Sequence, residues 1–197
     1  MNDGWEALRT KSHLTPEIIP DLFSPDECVR IIQLFAAHEL QPGRIWHGAG
    51  YDVDSSRRNL ETAYIPRADD TRWIYDRMDR AFFEAASAWK LDVRRTLEDL
   101  KYMVYRPGSH FAQWHVDIGE DYSSLRKVSM SVELNSSTEY DGGELQLFPT
   151  ASQHAAGSIR GPGTAIIFPS HSYHRVTPVT RGTRHAIVNW ISGPPLR

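Results

Sequence analysis

The second half of the chain, from Leu97 onward, is divided into short apolar segments by glycine, proline, aspartate and serine. Short segments at even spacing predict β-strands, and a run of them predicts a β-sandwich or barrel. The stretch YDGGEL predicts a tight turn between two of the strands. The seven segments are LKYMVYRPG, HFAQWHVD, KVSMSVELN, GGELQLF, SIRGPGTAIIF, HRVTPVT and TRHAIVNWIS.

The first half of the chain has a different pattern. SPDE at residues 24–27 combines a capping serine, a proline at the first helical position and a capping-box glutamate, and it predicts a helix that runs to about Leu40. Apolar residues spaced three or four apart predict a second helix that follows Asp69 and Asp70 and ends near Lys90. Residues 43–67 resemble irregular strands with turns.

We therefore predict a single domain over residues 1–197, of the α+β class but mainly β. Residues 1–96 would form helical support and irregular strands, and residues 97–197 the β core. A length of 197 residues suits one domain, and 40% hydrophobic with 24% charged residues is typical of a globular protein.

Composition also narrows the partners and the compartment. The net charge is −3 and no basic stripe is present, which argues against nucleic acid as a partner. No stretch approaches about 18 apolar residues, so we expect no membrane span, and the N-terminal segment lacks the apolar run of a signal peptide. One cysteine, Cys28, excludes an internal disulfide and fits a reducing compartment, so we expect a cytoplasmic protein.

A histidine and a carboxylate lie two residues apart in the segment QWHVD. Residues i and i+2 of a strand point to the same face, so His115 and Asp117 would reach one point in space. Such a pair either shares a hydrogen bond or provides two ligands of a metal. A third ligand would decide between these alternatives.

The third ligand has to be found among nine histidines, most of which we expect to be solvated or hydrogen-bonded. His174 differs because it lies where one buried strand ends and another begins, and a barrel brings such distant residues together at its mouth. Two histidines and one carboxylate form the facial triad of non-haem Fe(II) oxygenases. The remaining histidines are His13, His38, His47, His110, His154, His171 and His185.

Three motifs then occur in a fixed order: YRPGSHFAQWHVD, YDGGEL and GPGTAIIFPSHSYHRVTPVTRGTRHAIVNW. They lie within residues 99–193, and this region resembles the Fe(II)/2-oxoglutarate-dependent dioxygenases of the prolyl 4-hydroxylase (PKHD-type hydroxylase) family. The last motif is the most specific of the three. The first half is similar more faintly, through SSRRN at residues 55–59.

The resemblance implies a double-stranded β-helix, or jelly-roll, core. It also implies a hydroxylase of an aliphatic C–H of an amino-acid side chain, prolyl or other, free or in a peptide, with release of succinate and CO₂. The implied cofactors are Fe(II), 2-oxoglutarate as co-substrate and O₂, with ascorbate as a stimulant. The resemblance assigns the metal to His115, Asp117 and His174, and 2-oxoglutarate to Arg184, Tyr105 and Trp190. Because Asp117 is present, halogenation is disfavoured.

Arg184 would bind the far carboxylate of 2-oxoglutarate. Its neighbours on the same strand face are Ala186, Val188 and Trp190, and an arginine on an apolar face needs an anion. The chain departs from some eukaryotic relatives in having Glu133 or Val132 in the region where they carry a second tyrosine. A carboxylate beside an anionic co-substrate would be unfavourable, so we expect Glu133 to face outward.

The sequence alone does not identify the substrate. Arg57 and Arg58 could hold a substrate carboxylate or could form a solvated loop, and both alternatives remain. Hydroxylation, desaturation and cyclisation are not distinguished, and no oligomeric state is predicted. The candidate substrate contacts are Arg57, Arg58, Trp46, His110 and Trp114.

Two other functions compete with the oxygenase. One is a non-catalytic, cupin-like jelly roll that binds a metal or small ligand. The other is a β-sandwich interaction domain in which the three candidate ligands are only hydrogen-bonded polar residues. Arg184 favours the oxygenase over a simple metal binder, which needs no arginine opposite its ligands. Metal content would separate the interaction domain from both.

Overall fold

The computed structural model describes residues 11–46, 48, 50–148 and 161–195. Its helices are α1 (Pro25–Ala36) and α2 (Arg72–Ala88), with a 3₁₀ turn at Tyr122–Leu125. The strands of the first half are β1 (Glu17–Ile19), β2 (Gln41–Pro42), β3 (Ile45–Trp46), β4 (Tyr51–Asp52), β5 (Glu61–Ile65) and β6 (Arg95–Thr96). Those of the second half are β7 (Leu100–Tyr105), β8 (Phe111–His115), β9 (Arg126–Glu133), β10 (Tyr140–Gly142), β11 (Leu145–Phe148), β12 (Ala165–Pro169), β13 (Tyr173–Val176), β14 (Val179–Gly182) and β15 (Arg184–Ser192).

Most strands form two antiparallel layers, and β3 and β4 pair separately with each other. The larger sheet has the order β1-β12-β9-β15-β7-β5-β2, with β6 beside β15, and the smaller layer contains β11-β13-β8 and the pair β10–β14. All seven predicted segments contain strands, and HRVTPVT is divided between β13 and β14. Strands β1, β2 and β5 join the same sheet as β7, so the first half of the chain extends the β core.

The helices cover one face of the larger sheet. Apolar side chains of α1 and α2, among them Phe35 and Phe82, share a buried cluster with Tyr102, Met130 and Ile187 from the sheet. The predicted capping box is present: the Ser24 hydroxyl accepts from the Glu27 N–H at 3.2 Å, and the Glu27 carboxylate accepts from the Ser24 N–H at 2.8 Å.

Helix α1 ends at Ala36, four residues before the predicted Leu40. Gln41 and Pro42 form β2, so the chain leaves the helix before this strand begins, and Gln41, which precedes the proline, is disfavoured in helical conformation. Leu40 then packs, partly buried, against the same cluster as the helices.

The opposite face of the larger sheet forms the inside of the jelly roll. Met103 and Tyr105 of β7 pack there against Leu145 of β11 and Val176 of β13. Because side chains alternate along a strand, β9 directs Val128, Met130 and Val132 to the helices, and it directs Ser129, Ser131 and Glu133 inward. The inner face of β9 is therefore polar, and this places hydrogen-bonding groups beside the candidate site.

Candidate active site

The three predicted ligands lie together at one end of the jelly roll. His115 is the last residue of β8 and pairs directly with His174 of the neighbouring β13, so their rings approach to 4.2 Å between centroids. Asp117 lies just beyond β8, where its N–H donates to the Ser170 carbonyl at 2.9 Å. One candidate ligand atom from each residue lies within 4.8 Å of the other two, a geometry that fits a facial triad.

Hydrogen bonds fix the orientation of each candidate ligand. Nδ1 of His115 bonds the Gln113 carbonyl at 2.9 Å, and Nδ1 of His174 bonds the Ser172 carbonyl at 3.0 Å. The Nε2 atoms of both histidines are therefore available at the point where the three residues converge, as metal binding requires. Asp117 Oδ2 accepts from the Ser129 hydroxyl at 2.7 Å and lies 3.6 Å from His174 Nε2.

The environment favours the protonation states that bind a metal. Burial lowers the pKa of His115 to about 3, and the neighbouring His174 acts in the same direction. Burial works against the charged form of Asp117, but His174, His115 and Arg126 outweigh it and hold the pKa of this carboxyl well below its usual range. Near neutral pH the site offers a neutral imidazole from His115 and a carboxylate from Asp117.

A cavity of about 580 Å³ opens onto the triad. Its size suits a small molecule or an amino-acid side chain. Carboxylates on its wall are Asp117 and Asp121, whereas cationic side chains outnumber them. These are Arg44, Arg57, Arg58, Lys101 and Arg126.

Arg58 lies one aromatic ring away from the triad. Its guanidinium carbon is 4.9 Å from the centroid of Phe111, and the Phe111 ring stacks on His115 at 3.7 Å. Nη1 of Arg58 donates to the Arg44 carbonyl at 2.9 Å, whereas its buried Nε has no hydrogen-bond partner in the described part of the chain.

Lys101 lies on the other side of the cavity, against Trp190. Its Nζ is 4.6 Å from the Trp190 ring centroid and 5.3 Å from that of Tyr64. Burial, with the charges of Arg58 and Arg126, lowers the pKa of Lys101 to about 8. Arg126 also lies over Trp190, at 3.9 Å from the centroid.

Arg126 differs from Lys101 because its charge is already neutralised. It forms a buried, two-pronged ion pair with Glu98. Its Nη1 also donates to the Asp117 carbonyl at 2.9 Å, so it supports the loop that carries this candidate ligand.

Arg184 lies deeper inside the jelly roll, in a closed ion pair with Glu133. Nε of Arg184 donates to Glu133 Oε2 at 2.9 Å, and Nη2 donates to Oε1. Arg184 is 1% exposed and Glu133 3% exposed. The prediction that Glu133 faces outward is therefore wrong. It shares the inner face of β9 with Ser129, and Arg184 provides the counterion that makes its burial possible.

The other predicted contacts divide into two groups. Tyr105, Trp190, Arg57, Arg58 and Trp46 line the cavity. Trp114 and His110 do not line it. Trp114 directly precedes His115 on β8 and so points to the opposite face, where it contacts Phe148 and Arg175.

His110 forms a backbone bridge with Asn59 at the edge of the jelly roll. Three other histidines have partners or exposure away from the triad: His13 bonds the Trp89 carbonyl, His185 bonds the Tyr102 hydroxyl, and His171 is exposed. His38 is likewise exposed, whereas His47 and His154 lie outside the described residues.

Sequence reasoning missed Lys101, Arg126 and Gln113 as residues of the cavity wall. A usable pattern existed for the first, because Lys101 shares a strand face with Tyr105. Gln113 shares a face with His115 in the same way, and it accepts a hydrogen bond from Nε of Arg57.

The model of the 2OG-Fe(II) oxygenase superfamily matches residues 100–192. A PKHD-type hydroxylase of Paracoccus denitrificans (strain Pd 1222) is 32% identical over 181 residues, covering 87% of this chain and 75% of the relative. A PKHD-type hydroxylase of Xanthomonas campestris pv. campestris (strain 8004) is 30% identical over 187 residues, covering 88% of this chain and 76% of the relative. This chain belongs to the PKHD-type hydroxylases of that superfamily. It is accordingly an Fe(II)- and 2-oxoglutarate-dependent oxygenase, and the two non-catalytic alternatives are set aside.

Solved structures show the same fold. A prolyl-4-hydroxylase of Pseudomonas putida has a TM-score of 0.67 at 19% identity, covering 91% of this chain and 92% of its own. A prolyl hydroxylase of Trichoplax adhaerens, in complex with a peptide fragment of the hypoxia inducible factor oxygen degradation domain, has a TM-score of 0.71 at 16% identity, covering 91% and 84%. The predicted jelly-roll core is confirmed. Among the described residues, neither helix is long and apolar enough to cross a membrane.

Proposed function

We propose that His115, Asp117 and His174 hold the Fe(II) of this hydroxylase at the mouth of the jelly roll. The observation that carries the proposal is the convergence of their three ligand atoms within 4.8 Å, beside a cavity of about 580 Å³. Bound there, Fe(II) supplies the oxidative chemistry that hydroxylates an aliphatic C–H. The chain orients the candidate carboxylate ligand through the hydroxyl of Ser129.

Anaerobic titration with Fe(II) and then 2-oxoglutarate tests this assignment. The wild-type protein should develop a weak visible band from the chelated keto acid, whereas His174→Ala should lose both the band and stoichiometric iron. His38→Ala is the matched control, since His38 is exposed just after the end of α1, and it should behave as wild type. A full band in His174→Ala would contradict the assignment.

We propose that the substrate is an amino-acid side chain, prolyl or other, presented at the rim of the cavity. The rim is formed by Trp46 and Tyr51, whose rings are 5.2 Å apart and about 40% exposed. The Tyr51 hydroxyl donates to Asp121 at 2.7 Å, which connects the β3–β4 hairpin to the loop after Asp117. This arrangement would admit a free amino acid or a peptide side chain.

A succinate-release screen of free amino acids against short peptides would identify the substrate class. Trp46→Ala should raise the KM of the substrate while leaving that of 2-oxoglutarate unchanged. An unchanged KM for every substrate found would remove Trp46 from the rim. Trp114→Ala is the control, because Trp114 lies on the opposite face of β8.

We also propose a single domain that works in the cytoplasm. Sheet pairing between the two halves of the chain supports the first statement, and the lone, buried thiol of Cys28 supports the second. Limited proteolysis yielding a stable fragment of either half would contradict the first. Recovery of the protein outside the cytoplasmic fraction would contradict the second.

A further inference from the structure

The wall of the active-site cavity carries more positive than negative charge. Five cationic side chains line it, and one of them, Arg126, is neutralised by a carboxylate outside the wall. Only two carboxylates, those of Asp117 and Asp121, line the described part of the wall. The whole chain has a net charge of −3, so this positive excess is local. The cations that form no ion pair within the described residues are Arg44, Arg57, Arg58 and Lys101.

Hydrogen bonds position the three arginines of this group without neutralising them. Their acceptors are all neutral: Arg44 donates to the Tyr51 carbonyl, Arg58 to the Arg44 carbonyl, and Arg57 to the side-chain oxygen of Gln113. A neutral acceptor satisfies an N–H group but leaves the full positive charge in place, whereas a carboxylate partner cancels it. All three arginines therefore remain available to an anion.

The metal and the co-substrate do not remove the excess. Fe(II) brings two positive charges and 2-oxoglutarate brings two negative charges, so the two cancel wherever the carboxylates of the co-substrate bind. The four cations without an ion pair are then still opposed only by Asp117 and Asp121. Because like charges that are partly shielded from water repel one another strongly, the cavity favours an anionic substrate over a neutral one.

Arg57 and Arg58 lie along the strand that ends at His115. Gln113, the acceptor of Arg57, is on the same strand face as His115. The guanidinium carbon of Arg58 is 4.9 Å from the centroid of Phe111, whose ring stacks on His115 at 3.7 Å. Both arginines are partly buried. If they hold a carboxylate while a C–H group faces the metal, only a few carbon atoms can separate the two groups.

We propose that the substrate carries a carboxylate within a few carbon atoms of the C–H that is oxidised, and that Arg57 and Arg58 bind it. The proposal rests on the proposed metal triad and amino-acid substrate, and it names the charge of that substrate. Two adjacent guanidinium groups suit a carboxylate because each offers planar, paired donors. The carboxylate could come from a free amino acid, from the C-terminal residue of a peptide or from an acidic side chain.

Acid and amide forms of the same compounds test the proposal. The proteinogenic amino acids are offered to the full-length Fe(II) protein with 2-oxoglutarate as free amino acids, as C-terminal residues of N-acetylglycyl dipeptides, and as the amides of those dipeptides. Succinate release identifies the substrates. For each one, kcat/KM should be about 10- to 100-fold higher for the acid than for its amide, the range for loss of a charged hydrogen bond. A substrate without an acidic side chain that reacts equally well as its amide would overturn the proposal.

The three forms also separate the sources of the carboxylate. Turnover of free acids alone would assign a free amino acid, and turnover of the dipeptide acids would assign a C-terminal residue. Turnover of the amides that contain aspartate or glutamate, and of no other amides, would assign an acidic side chain.

Variants of the two arginines test which side chains recognise the carboxylate. In the double variant Arg57→Gln/Arg58→Gln, the Kd for the best acid, measured anaerobically by calorimetry, should rise about 10- to 100-fold, and the Kd for its amide should change by less than about threefold. Arg57→Lys/Arg58→Lys should keep the preference for the acid. The matched control is Arg175→Gln, because Arg175 contacts Trp114 on the opposite face of β8. Equal losses for acid and amide in the Gln variant would overturn the proposal, since the arginines would then only support the cavity wall.

The same calorimetry on metal-free protein separates this proposal from that of the metal triad. The preference for acid over amide should persist without iron, because the arginines provide it. A preference that disappears with the iron would assign the carboxylate to the metal and overturn this inference alone. Failure of wild-type protein to bind iron would remove the triad assignment, while the acid and amide affinities would still report on Arg57 and Arg58.

Discussion

Charged side chains are paired at one end of the jelly-roll interior and lack carboxylate partners at the other. The same strands, β9 and β15, contribute to both ends. At the deep end, Arg184 and Glu133 neutralise each other and are almost completely buried. At the open end, Asp117, His115 and His174 converge beside Lys101 and Arg58, which have no carboxylate partner within the described residues. Charges that satisfy each other stabilise a fold, whereas charges left open to a cavity are available to a ligand.

Among the changes that test this comparison, we expect the largest effect at the deep end. Arg184→Met leaves Glu133 buried without a counterion, and it should lower the free energy of unfolding by about 3–5 kcal/mol. Urea denaturation measures the change. Combining it with Glu133→Met should restore most of the loss, because both buried charges are then gone.

An exposed pair with the same chemistry provides the control. Arg181 of β14 bonds both oxygens of Asp141 of β10, but both residues lie at the surface. Arg181→Met should leave the urea midpoint unchanged. If it destabilises the protein as much as Arg184→Met, burial is not what distinguishes the two pairs.

A smaller effect is expected at the open end, in the hydroxyl that orients the candidate carboxylate ligand. Ser129→Ala removes the 2.7 Å bond to Asp117 and should weaken Fe(II) binding about 10-fold, the lower end of what outer hydrogen bonds contribute to metal affinity. Ser131→Ala is the matched control, since Ser131 lies two residues further on the same face of β9. Equal affinities for Fe(II) in both variants would show that Asp117 is positioned by its backbone alone.

The smallest expected effect is a pH dependence of 2-oxoglutarate affinity, which arises at the open end only. Lys101, whose pKa is lowered to about 8, is surrounded by Arg58, Arg126, Glu98 and Asp117. It is charged below that pH and loses its proton as the pH rises through it, so affinity for 2-oxoglutarate should fall severalfold between pH 7 and 9. Binding of 2-oxopentanoate, a keto acid with a methyl group in place of the second carboxylate of 2-oxoglutarate, should change less over the same range. Parallel curves for the two keto acids would remove Lys101 as the cause.

Much of the fold was predictable because its determinants are local. Alternating strands, turn residues and the capping box at Ser24 depend on neighbours in sequence, and each was found where the pattern placed it. His115 and Asp117 were likewise predictable as a pair from their spacing. His174 could be joined to them because a jelly roll brings its strand beside β8.

The errors concern residues whose environment depends on distant strands. Glu133 was assigned outward from the chemistry of the co-substrate, although the alternation of β9 places it on the same face as Ser129. Its counterion is 51 residues away, so no local pattern shows the pair. Arg126 was missed for the same reason, since only sheet pairing brings it against Trp190.

One measurement tests the contrast between the two ends most directly: an anaerobic crystal structure of the protein with Fe(II) and 2-oxoglutarate. The account predicts a metal bound by His115, Asp117 and His174 at the open end, with Arg184 and Glu133 buried together at the deep end. A structure in which the metal is bound by other side chains would contradict the account.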